Sequence, residues 1–412
     1  MSQLATAIRV TAVVSGGEII SRALQAGAFV LLARTFGQET LGLWAFAVAM
    51  AVYAVALVEL GFDSYAVRAA IVHAGEVRAL LRNVLGLRLA VALFLCSCAL
   101  IYGVSAGFDG TGDALVVVAL VLSCPSVALA SRWKLIADQR AGALVTAGLV
   151  SNTIFLAAAI WASETSQILF VAIAKTTGDY FAAASMYRAV AREQGAFRPA
   201  VDFSEWRRIW IGGLPFGMTR MAGEVLHHVD VILLGILMTT DAAGQYVVAF
   251  RFILLAHLVF SGVQAGLYPI LSRSTPHNSS GASRWGLVWR YAAIALGFTG
   301  LATALLYWFA GDLLTLLFGP SFASSAPVLR VLSMALPFAC LRVVAREALR
   351  ANGHERKEAV SMAVAAVLKT TMGVALIPVW GVMACAVATV ASEIWLSVAI
   401  VGTLIKVREA NT

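Results

Sequence analysis

Apolar stretches close to the length of a membrane span recur along the whole chain, separated by short polar intervals. A helix crosses a bilayer core with roughly 20 apolar residues. Twelve such spans can be read: 10–33, 41–62, 84–106, 114–131, 142–162, 167–187, 210–238, 244–272, 287–310, 328–350, 359–378 and 381–405. Lipid offers the backbone no hydrogen-bond partner, so these segments must be helices. The alternating apolar and polar strands of an outer-membrane barrel are a different pattern from these continuous runs. The interval 188–209, with Arg188, Arg192, Arg198, Arg207 and Arg208, stands out as long and polar enough to be a linker. The pattern predicts an all-α polytopic membrane protein. Its parts are a six-helix bundle over 1–190, a basic linker over 191–209 and a second six-helix bundle over 210–412.

Composition agrees. The chain is 60% hydrophobic and 13% charged, with a mean hydropathy of +0.86. A soluble domain is about 45–50% apolar and about 25% charged. This excludes a cytosolic enzyme, a disulfide-stapled secreted protein and a disordered regulator. The net charge of +8 would point to nucleic acid in a soluble chain. Here the loops account for it, and no nucleic-acid partner is expected. One set of loops holds Arg68, Arg78, Arg82, Arg132, Lys134, Arg140, the linker arginines, Arg273, Arg284, Arg350, Arg356 and Lys357. Arg9, Lys406 and Arg408 at the termini belong with it, whereas the opposite set has Arg34 beside Glu39, Asp109, Asp113, Glu164, Asp241 and Asp312. The positive-inside rule then predicts that both termini and the linker are cytoplasmic.

The first span contains Glu18 and Arg22 and runs straight into a second, unlike a cleavable signal peptide. Exterior loops are short, the longest running from about Asp312 to Pro327, so no exterior catalytic domain is expected. Phosphate-loop, HExxH and GxSxG motifs are absent. The five cysteines (Cys96, Cys98, Cys124, Cys340, Cys385) lie in apolar segments without metal-ligand spacing and read as small apolar fillers. Neither enzyme activity, nor a metal, nor a cofactor is expected.

The candidate chemistry lies in charges within the spans. These are Glu18, Arg22, Arg88, Lys175, Asp179, Arg220, Glu224, Asp230, Arg251, Arg342, Arg346, Glu347, Lys369 and Glu393, eight basic and six acidic. Each costs at least about 2.5–3.5 kcal/mol at a bilayer centre, so they must face a wet cavity or one another. Glu18 and Arg22 are four residues apart, as are Lys175 and Asp179, and Arg220 and Glu224. That spacing puts both members on one helix face. Two readings stay open: salt bridges that lock helices together, or a basic cavity for an anion with carboxylates that carry a coupling ion. The second assigns Arg22, Arg220, Arg251, Arg342, Lys175 and Lys369 to an anionic substrate, and Glu18, Glu224, Asp230 and Asp179 to H+ or Na+. Arg88 and Arg346, near span ends, are expected to snorkel. The fourth, fifth and ninth spans, almost free of charge, are expected to face lipid. Gly17-Glu18 with Gly42-Leu43-Trp44 and Gly223-Glu224 with Gly244-Gln245-Tyr246 form a weak parallel repeat, as in a two-bundle transporter.

Several strings carry a resemblance. Phe36-Gly37-Gln38-Glu39-Thr40-Leu41-Gly42-Leu43-Trp44 and Glu59-Leu60-Gly61-Phe62 frame the second span, with Glu59 where aspartate is usual. Leu214-Pro215 through Asp230 to Gly235, Leu317-Phe318-Gly319-Pro320-Ser321-Phe322, Asn352-Gly353-His354 and Ile377-Pro378-Val379-Trp380-Gly381 follow in order. Together they resemble the polysaccharide-exporting members of the MOP (multidrug, oligosaccharidyl-lipid, polysaccharide) superfamily, which are MATE-like. The resemblance implies a Wzx-like flippase that moves undecaprenyl-diphosphate-linked oligosaccharide, for O-antigen or exopolysaccharide, across the inner membrane. It also implies basic residues of the first and eighth spans, here Arg22 and Arg251, at the diphosphate. Expected partners are the lipid-linked substrate, membrane lipids and a glycan polymerase or export apparatus. An ion-coupled multidrug exporter of the same superfamily is the alternative.

Overall fold

The computed structural model describes the backbone over residues 2–72, 77–105, 113–273, 281–351 and 355–410. Side chains are described from residue 16 onward, except at 71–72, 141, 257–273, 281–285, 287–288, 351, 355–356 and 407–410. Asp109 and Asn352-Gly353-His354 lie outside the described residues, as do the side chains of Arg9, Arg273, Arg284, Arg356 and Arg408.

Every regular element among the described residues is helical. Helix α1 (Ser2–Glu59) carries the first two passes, and the backbone leaves helical geometry inside it at Gly37, with φ 73° and ψ −169°. Only glycine adopts that conformation without strain, which explains its place in the Phe36-Gly37 string. A second break at Leu60-Gly61, both with positive φ, leads into α2 (Phe62–Val72). The third pass is α3 (Val77–Ser105). The fourth is divided into α4 (Asp113–Val121) and α5 (Cys124–Leu129), because Pro125 cannot donate to the preceding turn. Short α6 (Arg132–Ala137) leads to α7 (Ala141–Thr165) and α8 (Ile168–Gln194), the fifth and sixth passes.

Helix α9 (Phe203–Leu237) is the seventh pass. Asp202 starts it, accepting bonds from the Ser204 hydroxyl at 2.7 Å and from the backbone N–H of Ser204 and of Glu205. Those donors, led by the Ser204 hydroxyl, hold the Asp202 carboxyl below the usual carboxylate range. The eighth and ninth passes are α10 (Thr240–Arg273) and α11 (Gly281–Trp308). The expected loop from Asp312 to Pro327 is instead α12 (Ala310–Phe318) and a 3-10 turn (Pro320–Ser325). Leu314, Phe318 and Phe322 recur every four residues and are buried, so the segment folds as an amphipathic cap. The tenth pass is α13 (Ala326–Ser333) with α14 (Ala335–Ala351), followed by α15 (Glu355–Trp380) and α16 (Val382–Ala410). The twelve passes fall where the hydrophobic pattern places them.

The chain forms two compact units, Met1–Glu224 and Val225–Thr412, with the chain boundary between them inside α9. In the first, α7 packs against α1 and α8, while α4 packs against α1, α3 and α8. Val116–Val121 of α4 are all buried, so the fourth pass is a central helix and not the lipid-facing one expected. Lack of charge suits a helix in a membrane whether lipid or protein surrounds it, so composition does not separate the two. The ninth pass behaves as expected, since Ile294, Phe298, Leu301, Leu305 and Trp308 of α11 are exposed. In the second unit α16 packs against α14 and α15, around a core that includes Val344, Leu349, Leu396, Ile400 and Leu404.

One backbone-to-backbone contact fixes the start of α9 in the first unit. A Cβ on Gly61 would lie 2.4 Å from the Gly213 carbonyl oxygen and 2.5 Å from the Gly217 nitrogen. A Cβ on Gly217 would lie 2.8 Å from the Leu60 carbonyl. Gly213 and Gly217 are a small-xxx-small pair that lets the end of α1 approach the α9 backbone. Gly217→Val is expected to destabilise the protein by roughly 1–3 kcal/mol through overpacking. Gly297→Val, on exposed α11 with nothing within 4 Å, is the control. Equal thermal unfolding midpoints of the two variants in detergent would contradict this.

Candidate functional site: charges inside the spanning helices

In the first unit the glycine contact delivers Arg220, one turn past Gly217, to the buried Glu59 carboxylate. Their N–O distance is 2.5 Å, and Glu224 lies 3.7 Å from the same guanidinium. The i,i+4 pair Arg220/Glu224 therefore exists, but the closer partner comes from the end of α1. On α8, Lys175 and Asp179 pair at 2.5 Å, and the Ser151 hydroxyl of α7 donates to Asp179 at 2.6 Å. Arg88 does not snorkel: it is 1% exposed and meets Asp63 of α2 at 2.8 Å.

Helix α1 presents a different picture. Gly17 and Ser21 face α7, where Val145 lies against Gly17 and the Asn152 amide donates to the Ser21 hydroxyl at 2.8 Å. Glu18 and Arg22 sit beside that seam and are exposed. Despite their spacing, neither takes part in an ion pair among the described residues.

In the second unit the most deeply buried charges are Asp230 of α9 and Lys369 of α15, 0% and 1% exposed, with 2.6 Å between Oδ2 and Nζ. Tyr246 of α10 donates its hydroxyl to the same Oδ2 at 2.6 Å, and the Thr389 hydroxyl of α16 lies 3.4 Å away. The Lys369 ammonium also donates to the Leu226 carbonyl at 2.5 Å and lies 5.6 Å from the Phe250 ring centre. Four helices thus converge on one carboxylate–ammonium pair. A second buried pair is bidentate: Arg342 of α14 donates from Nε and Nη2 to Glu393 of α16, at 2.8 and 3.1 Å. Arg346 and Arg350 of α14 share Glu347 and Glu358. Arg346, expected to snorkel, is drawn into this network. Arg251 is half-buried on α10, as are His227 and His228 on α9.

Of the six cations assigned to an anionic head group, Arg220, Lys175, Arg342 and Lys369 are each held by a carboxylate of their own unit. Of the four carboxylates assigned to ion coupling, Asp179, Glu224 and Asp230 each hold a cation. The units do not gather these residues into one cluster; they distribute them as separate helix-to-helix locks. Among the ten residues so assigned, Glu18 and Arg22 of α1 are exposed and outside the ion pairs of the described residues. Reading the sequence missed Glu59, Asp63 and Glu358 as partners. They sit at helix ends, where a carboxylate looks like ordinary loop polarity, and only the fold brings them to an arginine. No group of three or more His, Cys, Asp or Glu side chains with metal-binding geometry occurs among the described residues.

The buried pair yields a direct test. Lys369→Met leaves the Asp230 carboxylate buried without its counter-ion and is expected to cost about 3–5 kcal/mol. Adding Asp230→Asn removes the uncompensated charge and should recover most of the loss, read as thermal unfolding in detergent. A double variant as unstable as the single one would contradict the pairing.

Comparison with known proteins places this arrangement. The structure is similar to lipid II flippase MurJ in an inward-closed conformation, at 14% identity and a TM-score of 0.78, over 97% of this chain and 89% of that one. An inward-facing multidrug-resistance MATE transporter of the MOP superfamily matches at 12% identity and TM-score 0.74, over 95% of each chain. A MOP-superfamily transporter from Pyrococcus furiosus matches at 10% identity and TM-score 0.61, over 98% of this chain and 95% of that one. No curated protein sequence matches the chain. Residues 8–275 match the family described as polysaccharide biosynthesis protein. This multi-pass membrane protein belongs to the polysaccharide biosynthesis protein family and shares its twelve-helix fold with the lipid II flippase and the MATE transporter.

Proposed function

We propose that the protein flips undecaprenyl-diphosphate-linked oligosaccharide across the bacterial inner membrane by ion-coupled alternating access, for assembly of a surface polysaccharide. Family membership and the fold shared with a lipid II flippase support a lipid-linked substrate. The observation that carries the reading is Arg22, a cation exposed on a spanning helix and outside the ion pairs of the described residues. Lipid would penalise such a charge, so it is explained by a wet cavity and an anion that visits it. A guanidinium fork suits the oxygens of a diphosphate. Glu18, one turn away and equally exposed, is the matching candidate for the coupling H+ or Na+. Arg251 of the second unit is also assigned to the anionic substrate in this reading, while Arg220, Lys175, Arg342 and Lys369 act by positioning helices. The basic loops support cytoplasmic termini and loading from the inner leaflet. The product would pass to a glycan polymerase or export apparatus.

Complementation of a deletion strain tests this. Arg22→Ala at wild-type protein level should lower surface glycan roughly tenfold or more, with Arg22→Lys intermediate because it keeps charge and loses the fork. Wild-type surface glycan with Arg22→Ala would overturn the assignment. Intact surface glycan in the deletion strain, together with new drug sensitivity, would favour a multidrug exporter instead.

A further inference from the structure

The first unit contains a cleft remote in sequence from Arg22. It has a volume of about 690 Å3 and lies between the end of α2 and the start of α9. Tyr65, Arg68 and Ala69 share one face of α2, and Ser204, Arg207, Arg208 and Ile211 share one face of α9. At its edge the Tyr65 ring packs against Gly212, where a Cβ would lie 2.4 Å from Cε2. The Tyr65 ring and the three arginines are among the residues that line it.

The charge balance of this cleft differs from that of every other cationic cluster in the protein described above. Arg68 and Arg207 are exposed and take no part in an ion pair among the described residues. Arg208 has Glu205 at 3.6 Å, but both are well exposed and such pairs hold weakly. Three guanidinium groups therefore face a space of ligand size with one loosely held carboxylate among them. The basic loops set orientation wherever these arginines lie, but loop charge alone does not require three of them to line one cleft. Planar donor forks bordering one space suit the oxygens of a phosphoryl group. Further along α9 the side chains of Trp210, Ile211 and Leu214 are exposed. The cleft thus sits at a boundary between polar and apolar surroundings, the level at which lipid head groups lie.

We infer that the cleft between α2 and α9, lined by Arg68, Arg207 and Arg208, is a binding site for a phosphoryl group at the membrane surface, separate from the transport path. A phospholipid head group or a soluble pyrophosphate would supply the same chemistry. The full-length protein distinguishes them: retention of phosphatidylglycerol over phosphatidylcholine is read by native mass spectrometry, and pyrophosphate binding in detergent by calorimetry. Arg68→Ala/Arg207→Ala should weaken whichever probe binds by roughly tenfold. Arg132→Ala/Arg188→Ala, which removes two exposed arginines elsewhere on the same unit, should leave it unchanged. Arg68→Gln/Arg207→Gln serves if the alanine variant fails to purify as a folded protein. Retention of the lipid alone identifies a head group, and pyrophosphate binding identifies a soluble ligand. Binding of neither probe, or equal weakening by the two double variants, would overturn the inference. The readout is binding away from Arg22, so its failure leaves the flippase reading intact.

Discussion

A charge inside a bilayer must find an opposite charge or water, and this constraint organises both units. Arg88–Asp63, Lys175–Asp179 and Arg220–Glu59 meet it in the first unit. Asp230–Lys369, Arg342–Glu393 and the Arg346, Arg350, Glu347 and Glu358 network meet it in the second. Most of these contacts join different helices, so satisfying the charges also sets which helices touch. Lipid tails are as apolar as the helix surfaces, so no hydrophobic force drives helices together, and such pairs and close glycine contacts carry much of the specificity. The Asp230 cluster is the clearest case, because a shift of α9, α10, α15 or α16 would leave a carboxylate or an ammonium stranded.

That constraint also separates structural from functional charge. Cations already neutralised within their own unit have their hydrogen-bonding capacity largely spent on helix contacts. Arg22 and Glu18 on α1 are exposed and outside those pairs. A transporter that must release its substrate needs charge that is available in one state and shielded in another, and an internally paired cation does not provide it. In the proposed function the α1 face beside the Gly17–Ser21 seam therefore meets the substrate head group and the coupling ion.

Much of the fold was legible in the sequence, because hydrophobic length is a direct consequence of bilayer thickness. The Phe36-Gly37 string marked the junction of the first two passes, where the backbone conformation requires glycine. Two features escaped. The stretch 310–325 looked like a loop because its apolar residues are spaced for a short amphipathic helix and not for a span. The central place of α4 was hidden because apolar composition suits lipid and protein surroundings equally. For the site, in-span charges were legible by type and the i,i+4 rule found Lys175 with Asp179. It did not find Glu59 for Arg220, Asp63 for Arg88 or Glu393 for Arg342, since those partners come from other helices. The same rule joined Glu18 to Arg22, where the structure shows no ion pair.

The central claim is that internally paired charges build the helices' arrangement while exposed charge on α1 handles the substrate. The most direct measurement is the rate at which purified protein in proteoliposomes makes a lipid-linked oligosaccharide accessible across the membrane. The account predicts that Asp230→Asn/Lys369→Met, which removes a whole buried pair, keeps most of the wild-type rate. It predicts that Arg22→Gln, which removes one exposed charge from a stably folded protein, loses it. Transport retained by Arg22→Gln and abolished by the neutral double variant at equal folding would contradict it.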